Sequence, residues 1–241
     1  MNKLILVAML GFGIWSLGFA AFASTTSTIT GPIGLIRMPS ADTIGDNSYN
    51  LAVDYAANFI TGTGTLASTG TWSYKMNLGT SKNLELGLIG QTDSGTNQIK
   101  DGVYVNLKYA LSNDDSRYPL KLAIGAENLA SSNEADTYIV ASKYFKGGAV
   151  AHFGAMFDFP KNSFRPLGMA GLEYPLGGQM SNLTLIGEVF GGESLFQINA
   201  GIRLVLYPNI NISVNGLNLT KNPVSKNSQS ITAGICWKNP F

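Results

Sequence analysis

The chain is 241 residues long, carries a formal net charge of +1 and is only 13% charged. That length suits one large domain or one barrel, and the lack of a basic run excludes nucleic acid as the expected partner. The single cysteine, Cys236, excludes an internal disulfide framework.

Met1–Ala23 begins with Asn2 and Lys3, continues as an apolar run from Leu4 to Phe22, and closes on Ala21-Phe22-Ala23. This predicts a secretory signal peptide with an A-x-A cleavage site and a mature chain starting near Ser24. An uncleaved membrane helix is the competing reading. Gly11, Gly13, Ser16 and Gly18 argue against it, as does the absence of a charge cluster after the run. Beyond the leader no apolar run reaches helical spanning length, so a membrane would have to be crossed by strands.

Residues 24–47 form a separate N-terminal segment. After a Ser/Thr-rich entry comes G-P-I-G-L-I-R-M-P-S-A-D over Gly31–Asp42. Pro32 and Pro39 fix extended or turn geometry, and Leu35 and Ile36 are expected to pack inside the mouth of a barrel. The residues Gly34, Leu35, Ile36, Pro39, Ser40 and Ala41 resemble the opening motif of YjbH-like outer-membrane proteins. That resemblance implies an outer-membrane β-barrel linked to exopolysaccharide production or export. This chain is much shorter than the long members of that family and lacks the lipoprotein cysteine that several of them carry.

From Ser48 to Phe241 a period of two repeats. Tyr49, Leu51, Val53 and Tyr55 alternate with Asn50, Ala52 and Asp54; Val103, Val105, Leu107 and Tyr109 with Tyr104, Asn106 and Lys108. Ala151, Phe153, Ala155, Phe157 and Phe159 alternate with His152, Gly154, Met156 and Asp158. Such alternation marks strands between two unlike environments. The phase of Arg165–Leu176 is unreadable because glycines interrupt it. The count comes to about twelve strands, most near the length a tilted transmembrane strand needs.

Alternation alone fits a soluble sandwich as well as a barrel. The connections separate the two. Ile60–Gly70, Thr92–Asp101, Leu129–Asp136, Pro160–Ser163, Gly192–Leu195 and Thr220–Ser228 form one set, most of them long and polar, whereas Ser81–Asn83, Lys146–Gly147 and Pro208–Asn209 in the other are tight; Leu111–Pro119 is a long exception on the tight side. Long loops at one end and tight turns at the other are the pattern of outer-membrane barrels. Aromatics near the strand ends, among them Tyr49, Trp72, Tyr144 and Tyr207, suit membrane interfaces. The expected fold is all-β: a closed antiparallel transmembrane β-barrel occupying residues 48–241, in the cell outer membrane.

The last stretch, Gln229–Phe241, places Ile231, Ala233, Ile235 and Trp237 on one face and continues in the same phase to the terminal Phe241. An aromatic ending of this kind resembles those that the bacterial barrel-assembly machinery reads, with Trp237 and Phe241 as the signal. Asn239 and Pro240 depart from that pattern.

Catalysis, cofactors and metals have little support. His152 is the only histidine; no G-x-S-x-G is present, and no nucleophile is evident beside it in the sequence. The acidic pairs Asp114-Asp115 and Glu134/Asp136 read as solvated loop residues, and the Gly-Gly pairs match no phosphate loop. Cys236 fills space on the polar face. No cofactor is expected, and the chain is read as non-enzymatic.

The charged residues on the polar face are the best lead. Asp54, Lys75, Glu85, Lys108, Lys121, Glu127, Lys143, Asp158, Glu188 and Arg203, with His152, are assigned to the lumen, because a charge facing hydrocarbon costs roughly 2–4 kcal/mol at the midplane. They would either pair and close the interior or line a water-filled path. The first expectation is a narrow channel or a component of exopolysaccharide handling, meeting polysaccharide or a small solute. The alternative is a closed structural or adhesive barrel working through its surface loops, and an outer-membrane lipid enzyme comes third. Outer-membrane lipid and lipopolysaccharide are the expected surroundings in each case.

Overall fold

The computed structural model describes residues 26–59, 66–94, 99–112, 119–131, 134–160, 163–177, 180–193, 196–220 and 229–240. The expected leader and cleavage site, the pair Asp114-Asp115 and the terminal Phe241 lie outside the described residues.

Twelve antiparallel strands close into one barrel. They are β1 (Ser48–Phe59), β2 (Leu66–Ser81), β3 (Leu84–Asp93), β4 (Ile99–Ala110), β5 (Leu120–Leu129), β6 (Glu134–Tyr144), β7 (Val150–Pro160), β8 (Arg165–Pro175), β9 (Leu183–Gly191), β10 (Phe196–Tyr207), β11 (Ile210–Leu217) and β12 (Ser230–Pro240). Each strand pairs with its neighbours in the chain, and β12 returns to β1 in a ladder running from Ser48↔Pro240 to Asn58↔Ser230. Closure leaves no strand edge unpaired, the condition that hydrocarbon imposes on a sheet.

The two faces of this sheet differ as the alternation predicts. Leu86, Leu88, Ile124, Ile139, Ile202 and Ile235 point outward and are exposed. Phe153 is 57% exposed and Ile198 37%. A sandwich would seal both between its sheets; here they lie on the outside. Lys75, Glu85, Lys108, Glu127, Glu188 and Arg203 face inward and are each 4% exposed or less. The rim carries aromatic contacts, such as the edge-on pair Tyr49–Trp237 at 5.5 Å.

One end is built from tight turns such as 82–83 and 208–209, apart from the longer 111–119 and 176–182, and it also receives the start of β1 and the end of β12. The other end carries the connections 60–65, 94–98, 130–133, 161–164, 192–195 and 218–229, of which several are short and 218–229 is the longest in the barrel. These are called below the tight-turn end and the long-loop end.

The register resolves β8. Leu167, Met169 and Glu173 point inward, while Leu172 and Tyr174 point outward. It also corrects two assignments on β6. Tyr144 is not part of an outer aromatic girdle, because its hydroxyl turns inward and donates to Asp42. Lys143 does not line the lumen. It pairs with Leu120 and Ala151, on the face that holds the exposed Ile139. At the last turn of a strand the side chain has left the level of the hydrocarbon, so a charge is tolerated on the outer face.

Candidate functional site: the occupied lumen

The interior is filled by the chain itself. Between Gly31 and Ala41 every residue except Arg37 is buried. This segment lies inside the ring of strands. It is folded on its own main chain, with Thr28 N–H donating to Pro32 O at 2.7 Å, Ile29 N–H to Ile36 O at 2.7 Å and Leu35 N–H to Met38 O at 2.9 Å. Gly34 sits where a Cβ would lie 2.3 Å from Met38 O and 2.8 Å from Pro39 Cα, so the fold of the segment demands glycine there. Gly45 (φ 95°) and Asn47 (φ 47°) then turn the chain into β1.

The walls hold this plug mostly by its backbone. The Glu188 carboxylate accepts the N–H groups of Ile36 (3.1 Å), Arg37 (2.9 Å) and Met38 (3.0 Å), and also the Asn199 amide at 2.7 Å. Glu85 accepts Ile33 N–H and Ile44 N–H, each at 2.9 Å. Arg203 donates to Gly34 O and Leu35 O, each at 3.0 Å, and pairs with Glu173 at 3.2 Å. Lys108 donates to Ile33 O at 2.8 Å and Asp42 O at 2.6 Å while lying 3.4 Å from Glu85. Lys75 is paired with Asp54 and donates to Thr28 O at 2.6 Å. Asn77 and Asn106 donate to Gly31 O (2.8 Å) and Thr30 O (2.9 Å). Buried main-chain groups need partners away from water, and these acidic, basic and amide side chains supply them.

Apolar contact adds to the grip. Ile33, Leu35, Ile36, Met38 and Ile44 are each 3% exposed or less. Leu35, Ile36 and Met38 belong to one core with Val140, Met156, Leu167, Met169, Ile186 and Phe190 of the wall. Each such burial contributes on the order of 1.5–3 kcal/mol. Gly171 makes room for the plug, since a Cβ there would lie 2.5 Å from Leu35 Cδ2.

The residues expected in the lumen therefore fall into three sets. Asp54, Lys75, Glu85, Lys108, Glu188 and Arg203 grip the plug directly or through a partner. Lys121 joins them at the tight-turn rim, 2.8 Å from Asp42. Glu127 and Asp158 lie nearer the long-loop end, where the register sets Glu127 opposite Asp136 and Asp136 opposite Asp158. Asp158 pairs with Arg165, and Asn128 donates to Asp136 at 3.2 Å. Lys143 stands outside, as described above. The charges thus neither pair simply with one another nor line a clear path; most of them bind a polypeptide.

His152 does have a hydroxyl beside it. Ser142 on β6 lies 2.8 Å from His152 Nδ1, and Glu173 is 3.9 Å from Nε2. No sequence motif linked these three, because the barrel register alone brings their strands together. The Ser142 oxygen accepts Ala41 N–H at 2.8 Å, and both side chains are 1% exposed or less. The pair forms part of the seat of the plug.

Sequence reasoning also missed Asp42, Ser142, Glu173, Asn77 and Asn106. Glu173 lay in the stretch of unreadable phase, and the Asn residues carry no charge to mark them. Among the described residues no group of three or more His, Cys, Asp or Glu side chains is placed to hold a metal ion.

No protein-family model matches the chain, and no curated protein matches it. Solved structures do. A structure titled "KdgM porin" superposes with a TM-score of 0.56 at 12% identity, over 77% of this chain and 98% of its own. A NanC porin gives 0.54 at 14% identity, over 78% and 98%. A KdgM porin described as in complex with disordered oligogalacturonate gives 0.55 at 11% identity, over 77% and 98%. At such identities the likeness is one of fold: this chain has the closed barrel of these porins.

Proposed function

We propose that the protein is a porin-like outer-membrane barrel held shut by its own N-terminal segment. The observation that carries this reading is the grip of Glu85, Lys108, Glu188 and Arg203 on the backbone of residues 33–42. The apolar belt and the closed ladder support placement in lipid. Long loops face outward in such barrels, so the long-loop end would face the cell exterior. In this state the barrel is a sealed conduit, and passage requires the segment to shift.

Planar-bilayer recording tests the reading. The full-length protein should show no steady single-channel steps. The double substitution Glu85→Gln, Glu188→Gln weakens the acceptors of five backbone N–H groups and should produce openings. Steady steps from the unaltered protein, or silence from a folded double variant, would overturn it.

A second reading is a part in handling exopolysaccharide. It draws on the Gly34–Ala41 motif and on the neighbour whose title includes oligogalacturonate. In this chain the motif residues are the turn of the plug. A polysaccharide role would therefore run through the plug's position or its outward surface.

A further inference from the structure

Arg37 is unlike every residue around it in the plug. Its neighbours from Gly31 to Ala41 are buried, and it alone reaches solvent. Its main-chain N–H is fixed by both oxygens of Glu188, at 2.9 and 3.1 Å. Its side chain runs the other way, toward the long-loop end. There the guanidinium lies 5.5 Å from the centroid of the Phe190 ring, and Nη1 is 3.4 Å from Gln197 Oε1. Phe190 and Gln197 flank the β9–β10 connection at that end.

Lys75, Lys108, Lys121 and Arg203 each have a carboxylate beside them. No described carboxylate lies within ion-pair distance of the Arg37 guanidinium. It makes one long hydrogen bond and one ring contact, so most of its five N–H donors are uncommitted. The ring and Gln197 hold the guanidinium on the outward side of the plug. A planar fork of donors placed this way matches the two oxygens of a carboxylate or phosphate.

We infer that Arg37 is an oxyanion-binding residue on the outward surface of the plug, taking a carboxylate or phosphate group that enters from the long-loop end. This rests on the plugged-barrel reading only for the direction of approach. Gln197 in turn donates to the buried Asn199 at 3.0 Å, which fixes the Gln197 amide beside the guanidinium.

Calorimetric titration of the full-length protein in detergent tests the assignment with three probes: trigalacturonate, inorganic phosphate and neutral maltotriose. Arg37→Gln is a suitable variant because the plug is anchored at this position through its main chain. An unchanged thermal transition would confirm that the variant is folded. At least one anionic probe should bind at millimolar concentration or below, and Arg37→Gln should weaken it by about tenfold or more. Binding by trigalacturonate alone assigns the carboxylate source, and by phosphate alone the phosphate source. Equal affinity in the variant, or binding by no anionic probe, overturns the proposal. Because the titration needs no open pore, its failure is distinct from a failure of the conductance test.

Discussion

The two halves of the barrel interior are built from the same alternation of side chains but use their charges differently. In the tight-turn half, Lys75, Lys108, Arg203 and Glu85 reach into the backbone of a second layer of polypeptide, and Glu188 does the same from beyond the middle of β9. In the long-loop half, Glu127, Asp136 and Asp158 stand in register on the wall, with Arg165 beside Asp158. An inward charge in a barrel therefore does not by itself mark a path for solute. It can equally be a fixed partner for main-chain groups that have lost water.

The sharpest way to break this contrast is Lys108→Ala. Lys108 is 1% exposed and serves Ile33 O, Asp42 O and Glu85 together. Removing one partner of a buried pair costs about 3–5 kcal/mol, so the thermal transition in detergent should fall markedly. Arg165→Ala in the other half should cost less, because that side chain is 35% exposed and solvent takes over part of its role. Equal losses from the two would mean that the plug adds nothing to the tight-turn half. Gly34→Ala is expected to have the next largest effect. Its Cβ would press on the plug's own backbone, and overpacking of this kind costs about 1–3 kcal/mol. Proteolysis should then cut between residues 26 and 44 while the strands stay protected.

Most of the wall was legible in the sequence because lipid and lumen impose opposite demands at successive residues, as at Phe157 and Asp158 on β7. The plug was not. Gly31–Asp42 has no period of two, and its polar anchoring runs mostly through N–H and C=O groups that every residue carries, so its side chains do not announce their partners. The motif suggested that Leu35 and Ile36 would enter the mouth, but nothing in it named Glu188 or Arg203, more than 150 residues away. Glu173 was hidden for a related reason. Its inward companions Leu167 and Met169 are apolar because they face the plug, and that blurs the contrast on which phase is read.

Lys143 gives the smallest and most discriminating effect. Alternation by charge alone placed it with the lumen residues, whereas the register pairs it with Leu120 and Ala151 on the outer face, at the end of β6. Lys143→Ala should therefore leave the thermal transition within about 0.5 kcal/mol of the parent, as exposed substitutions do. Ser142→Val, one residue earlier, removes the acceptor of Ala41 N–H in a fully buried site and should cost about 1–3 kcal/mol. Adjacent residues on one strand thus sit on opposite sides of the wall, and their difference measures the wall directly. A large loss from Lys143→Ala with none from Ser142→Val would reverse the register of β6 and move the anchor of Ala41 to another strand.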